Sequence, residues 1–217
     1  FMDHYDPKTV FSSIDKFGRY SFSNQPPITK WNLSRFAECL IPLIHKNEEK
    51  AIQLAKENID NFQNIYEEKW LNMMRDKLGL FGEDKKDLKL VNNLLNWMET
   101  SQADFTNTFC YLMKVSSNNN EVYDDKNFIN WLKEWNKRIL FNNGSKENSL
   151  ELMKKNNPIV IPRNHKVEEA LEASNNNDFK LMNKLISILK TPYLDQNLIE
   201  DYKFPSKNKE YKTFCGT

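Results

Sequence analysis

The residues able to do chemistry are few and scattered. His4, His45 and His165 stand alone, and none sits in a metal-binding spacing such as HExxH. Each reads as a structural or surface histidine. Asp3, Asp6 and Asp15 lie close together in sequence and in principle offer a metal three carboxylates, but loop aspartates more commonly form turns and cap helices. Gly18-Arg19 could touch a phosphate, yet with only five glycines in the chain and none clustered, there is no phosphate-cradling loop. Cys39 and Cys110 fall in helical apolar patterns, where a buried, inert thiol is the expectation. Cys215, in Thr213-Phe214-Cys215-Gly216-Thr217, is the possible redox residue. A reactive thiol and an incidental exposed cysteine both remain open there. From the residues alone, no catalytic, cofactor-binding or metal-binding site can be assigned.

The elements that would position these groups are helices. Asn24-Gln25-Pro26-Pro27 forbids a helix upstream and pre-sets one downstream. Before it lies an irregular stretch crowded with Phe1, Met2, Tyr5, Phe11, Phe17, Tyr20 and Phe22, which has little core of its own and looks held from outside. After it, Leu33, Phe36, Ala37, Leu40 and Ile44 mark a helical face, with Pro42 expected to loosen it near Glu38. From Asn47, one stripe of Ile52, Ala55, Ile59, Phe62, Tyr66, Trp70 and Met73 runs to Leu78-Gly79. Asp84 is expected to cap a helix burying Leu88, Val91, Leu95 and Met98, followed by one carrying Phe105, Phe109 and Leu112.

Ser116 to Glu121 reads as a polar loop. Asp124 or Asp125 then opens a helix with Phe128, Leu132, Trp135 and Ile139 on one side, stopped by Asn142-Asn143-Gly144. Ser145 caps the next, with Leu150 and Met153. Pro158-Ile159-Val160-Ile161-Pro162 is the one extended run. Val167–Ala173 and Asp178–Leu189 are the last two helices, joined by Asn175-Asn176-Asn177. Lys190 to Thr217 is expected to lie over the surface as a tail. The fold class is all-α.

Composition narrows the class further. The 31 basic and 30 acidic residues are interleaved at a net charge of +1, which leaves no basic footprint for a nucleic acid. No apolar run reaches the roughly 18 residues that would cross a membrane. There are 26 Lys and 29 Asn but only five Arg, a bias that reads as the mark of an AT-rich genome. Three widely spaced cysteines without a CxxC suit a reducing cytosol, so a cytoplasmic location is expected. Residue 1 is Phe, which suggests a piece of something longer.

Four separated stretches carry a family resemblance. The first holds Phe1-Met2-Asp3, Tyr5-Asp6-Pro7, Val10-Phe11-Ser12-Ser13-Ile14-Asp15, Gly18-Arg19-Tyr20, Asn24-Gln25-Pro26, Trp31-Asn32-Leu33, Arg35 and Ala37-Glu38. The second is Asp104-Phe105-Thr106-Asn107-Thr108-Phe109. The third is Ile161-Pro162-Arg163-Asn164-His165 with Val167-Glu168-Glu169-Ala170-Leu171, and the last is Tyr211-Lys212-Thr213-Phe214-Cys215. Together they resemble the selenoprotein O (SelO) family, in order and from first residue to last.

The resemblance implies a pseudokinase fold that transfers AMP from ATP to protein Ser, Thr or Tyr hydroxyls with Mg²⁺. The chain then corresponds to the C-lobe of a protein-kinase-like fold plus a helical C-terminal extension. Residues 1–25 would be an activation-segment-like loop, 26–115 the helical C-lobe core, and 122–217 the extension packed on the same domain. The Asp-Tyr-Gly that holds the metal, the catalytic loop and the nucleotide-clamping residues would all precede Phe1. ATP and Mg²⁺ are therefore implied for the full-length family, with none bound by residues of this chain, which alone is expected to be inactive. The implied partners are the N-terminal lobe of the same protein and protein substrates, with no nucleic acid and no membrane. Two departures stand out. Cys110 occupies a position where the family commonly has Arg, and residues 1–25 contain no cysteine for the redox switch that the resemblance implies at Cys215. Cys215 could pair with Cys39 or Cys110 only with Cα atoms within about 7 Å.

A stand-alone helical interaction module without catalysis is the alternative. It would need a well-solvated surface, which the aromatic crowding before Pro26 disfavours. An in-frame Asp-Tyr-Gly upstream distinguishes the two readings.

Overall fold

Pro26 and Pro27 sit in the first turn of α1 (Gln25–Ile44), where a missing N–H removes no helical hydrogen bond. In the computed structural model, residues 2–115, 121–141, 145–196 and 199–206 are described. They fold as two compact units. One takes in residues 7–72, the other residues 2–6 and 73 onward. Among the described residues there is no strand, only an isolated antiparallel bridge between His4 and Asp104. The class is all-α, as the periodicity predicts.

In the first unit α1 packs on α2 (Glu48–Asp60). Helix α1 continues through Pro42 to Ile44, so the proline does not end it, although it has no N–H to give the Glu38 carbonyl. Asn47 caps α2 by accepting the Lys50 N–H at 2.8 Å. The single stripe expected from Asn47 is broken at Asn61, after which α3 (Phe62–Lys77) begins; the unit boundary falls within α3. The stripe is also displaced by one residue at both ends. Ala51 and Met74 are buried, whereas Ile52 and Met73 are half exposed. No side chain of α1 is fully buried.

The second unit is built on aromatic residues. Its helices are α4 (Asp87–Ser101), α5 (Phe105–Leu112), α6 (Lys126–Ile139), α7 (Lys146–Asn156), α8 (Asn164–Asn175), α9 (Lys180–Leu189) and the short α10 (Glu200–Lys203). The caps are local and legible. Asp104 accepts the Asn107 N–H, Asp125 the Asn127 and Phe128 N–H groups, and Ser145 the Asn148 N–H. Asp84 does not cap α4. It lies in the preceding turn, accepting the Lys86 N–H, and Leu88 points to solvent.

Helices α4 and α6 pack face to face through Trp97, Phe128, Trp131 and Trp135. Each indole N–H finds an acceptor: Asp125 Oδ1 at 3.0 Å, the Leu90 carbonyl at 2.8 Å and the Leu78 carbonyl at 2.9 Å. Gly79, at φ +67°, lies so close to α7 that a Cβ there would stand 2.6 Å from the Ser149 carbonyl oxygen.

A smaller core joins the extended 157–163 run to α8, α9 and the C-terminal segment, through Ile159, Val160, Ala170, Leu185, Ile188, Ile199 and Tyr202. The segment after Lys190 is therefore not wholly a surface tail: Ile199 and Tyr202 are core residues. Of the loop expected over Ser116 to Glu121, residues 116–120 lie outside the described residues, as does the helix stop at 142–144, and Glu121 opens a 3-10 turn running to Asp124.

Candidate functional site

The three sequence motifs at Asp3, Asp104 and Arg163 meet at one point. Residues 2–5 lie antiparallel to residues 103–105, with the Tyr5 N–H donating to the Ala103 carbonyl at 3.0 Å and the Phe105 N–H donating to the Asp3 carbonyl at 2.9 Å. Met2 is buried, and the Tyr5 ring stacks on Phe105 at 5.8 Å between centroids. Of the aromatic and apolar side chains crowding the N-terminal stretch, these two are thus covered. Phe17, at 97% exposure, and Tyr20 are not.

Arg163 closes this junction from below. It is 1% exposed. Its Nη1 donates to Asp3 Oδ1 at 2.6 Å and to Asp104 Oδ2 at 2.7 Å. Its Nη2 donates to Asp104 Oδ1 at 3.0 Å and to the Lys203 carbonyl at 2.7 Å. The Asp104 pair is two-pronged, a geometry that a guanidinium fork supplies and an ammonium does not. Asp104 also caps α5 with the same carboxylate. Burial pushes the Asp104 carboxyl above its ordinary value, against the pull of Arg163 and the Asn107 N–H. Burial lowers Arg163, but Asp104 and Asp3 outweigh it and hold the guanidinium above its usual value. Two charge-assisted bonds and a backbone N–H at the Asp104 oxygens oppose the rise of that carboxyl.

A second buried cluster braces the turn before α4. Asp87, fully buried, accepts Arg138 Nε at 2.7 Å and Arg75 Nε at 2.8 Å. Arg138 also donates to the Phe81 and Gly82 carbonyls at 3.1 and 3.0 Å. Burial alone would raise the Asp87 carboxyl, but Arg138, the Asp84 N–H and Arg75 together hold it below its ordinary value.

The other candidate residues do not assemble with these. His4 is exposed and contributes its backbone to the bridge, while His45 Nδ1 accepts the Asn47 N–H at 2.9 Å. His165 is partly buried, and burial lowers its pKa. Asp15 is a turn-former, accepting the Arg19 and Tyr20 N–H groups at 2.8 Å. Asp3 is neither turn nor cap but an ion-pair partner. Among the described residues no group of three or more His, Cys, Asp or Glu is gathered for a metal. Asp3 gives Oδ1 to Arg163, and Asp15 gives both oxygens to backbone N–H groups. Arg19 stacks over the Trp31 ring at 4.7 Å instead of standing free for a phosphate.

Cys39 is exposed, not buried, because α1 presents that side to solvent. Cys110 is buried beside the Pro158 and Ile159 carbonyls, and burial pushes its thiol up to about 12. It is inert. Cys215 lies outside the described residues.

Sequence reasoning missed the roles of Arg75, Arg138 and Arg163, and also Lys77. The last lies over the Phe109 ring at 4.4 Å, and burial lowers its pKa to about 8. One signal was available for the arginines. In a chain with 26 Lys and five Arg, an Arg is the exception, and its planar fork suits paired acceptors. Three of the five hold buried carboxylates.

Comparison with known proteins bears on the same motifs. The family model described as Protein adenylyltransferase SelO matches residues 1–190. Relatives named Protein nucleotidyltransferase YdiU align along the whole chain: from Pelagibacter ubique at 58% identity over 219 residues, Nitrosococcus oceani at 48% over 220, and Clostridium beijerinckii at 47% over 219. In each case the match takes in 100% of this chain and 45% of the relative, so the chain spans less than half the length of these curated relatives. With the family model matched over most of its length, the chain belongs to the SelO family of nucleotidyltransferases.

Proposed function

We propose that this chain is the C-terminal portion of a SelO-type protein adenylyltransferase, which moves AMP from ATP to the hydroxyl of a protein Ser, Thr or Tyr. The observation that carries this reading is the end-to-end alignment with nucleotidyltransferases that are more than twice as long. On this reading the helices from Pro26 onward are a kinase-like C-lobe and its C-terminal extension, and residues 1–25 serve as the activation segment. The nucleotide, the Mg²⁺ and the groups that bind them belong to the remainder of the polypeptide. That remainder is the principal partner of this chain, protein hydroxyls are the substrates, and a reducing cytosol is the compartment.

The chain's own residues supply shape. Arg163 and Asp104 hold residues 2–5, and within the same unit the Asp87 cluster and the tryptophan ladder brace the helices from α4 to α6. Rigid placement is what group transfer to a hydroxyl requires, because most of the catalytic gain there comes from alignment and charge neutralisation.

The test is to supply the complete polypeptide with Mg²⁺, a protein acceptor and ATP labelled at either the α or the γ phosphate. Label from the α position on the acceptor, with pyrophosphate released, is the expected result. Label from the γ position would make the protein a kinase and overturn the reading.

A further inference from the structure

We infer that Arg163 is a positioning residue for the transfer reaction, acting through Asp3 to set the path of residues 2–5. This rests on the proposed reading of residues 1–25 as an activation segment.

Three observations carry it. First, Arg163 spends its two terminal nitrogens on four acceptors from three distant parts of the chain: Asp3, Asp104 (twice) and the Lys203 carbonyl. A side chain needed only to fill space would not gather the start, middle and end of a unit. Second, the tie to Asp3 is separable from the rest. Asp104 already neutralises the guanidinium in a two-pronged pair at 2.7 and 3.0 Å, so the added 2.6 Å bond to Asp3 is not required to satisfy a buried charge. Third, the tie is redundant with backbone pairing at the same place. Tyr5 to Ala103 and Phe105 to Asp3 already hold residues 3–5 antiparallel to 103–105, and the salt bridge fixes the register of that short pairing. An isolated bridge with two hydrogen bonds slips easily, whereas one with a charged pin at its end has a single register. The Arg163 to Lys203 contact extends the pin to α10, so the seating of the C-terminal segment and of residues 2–5 share one side chain.

The experiment uses the complete polypeptide and the variant Asp3→Asn, since Arg163→Met risks unfolding the unit. Asp3→Asn leaves the Arg163–Asp104 pair intact. Two readouts are taken: amide hydrogen exchange at Tyr5 and Phe105, and kcat and KM for AMP transfer. The expected result is faster exchange at these two amides with α6 unchanged, and a kcat lowered about tenfold or more with KM for ATP nearly constant, as for a reacting group displaced by a fraction of an ångström. Asp3→Glu, which restores the charge, should recover part of the kcat. A purely structural tie would lower the melting temperature without moving kcat. Unchanged kcat in Asp3→Asn, with wild-type transfer intact, overturns the positioning role and leaves the adenylyltransferase reading standing. Absence of AMP transfer by the wild type overturns that reading and the positioning role with it, while the exchange readout still reports whether Asp3 holds the register.

Discussion

Residues 73–206 and residues 7–72 are helical and amphipathic alike, yet they bury their side chains very differently. In the larger unit, buried aromatic rings form a continuous ladder, the three tryptophan N–H groups are satisfied, and three arginines are locked onto carboxylates. In residues 7–72 only Ser21 and Ala51 are fully buried, and the twenty-residue α1 leaves Trp31, Phe36 and Leu43 substantially exposed. The apolar stripes of α6 and α9 are also sharper than that of α1. The larger unit covers both sides of its helix interfaces, whereas α1 packs mainly on α2 and leaves Trp31, Phe36 and Leu43 exposed.

This contrast can be broken by mutation. The largest effect is expected from Arg163→Met, which strands Asp104 without its partner. Removing one member of a buried pair costs about 3–5 kcal/mol, and denaturant unfolding of the larger unit should show it. Next is Asp87→Asn, expected to cost about 2–3 kcal/mol by weakening charge-assisted bonds to two arginines. The pH dependence has a definite sign. The folded carboxyl of Asp87 lies below its ordinary 3.8, so its stabilisation is present above that value and is lost as pH falls through the folded pKa. Acid titration of stability should therefore be steeper below about pH 4 in the wild type than in Asp87→Asn.

Trp135→Phe keeps the ring but orphans the Leu78 carbonyl, at about 1 kcal/mol in thermal melts. The smallest effect is expected in the other region. Phe36→Ser, on the exposed face of α1, should change the stability of this chain by less than about 0.5 kcal/mol. A loss of several kcal/mol there would mean that α1 is already packed, and the contrast between the two regions would fail.

The local parts of this architecture were legible in the sequence. The prolines at 26 and 27, the caps at Asp125 and Ser145 and the inward face of α6 follow from interactions spanning a few residues. The break at Asn61 was not, because apolar spacing continues across it and only packing against α1 decides which face is inside. The junction at Arg163 was half legible. Its three motifs carry the family resemblance, but the separation of 160 residues between Asp3 and Arg163 hides their contact from any local pattern. The carboxylates of the N-terminal stretch looked like turn-formers as a group. Asp15 is one, and Asp3 is not, a distinction made by a distant arginine.

The central claim is that this chain shapes and braces a transferase whose reacting groups lie in the remainder of the polypeptide. It is tested most directly by comparing residues 1–217 alone with the complete polypeptide, each given α-labelled ATP, Mg²⁺ and a protein acceptor. The account predicts labelled acceptor from the complete polypeptide and none from residues 1–217. Transfer of AMP by residues 1–217 alone would contradict it.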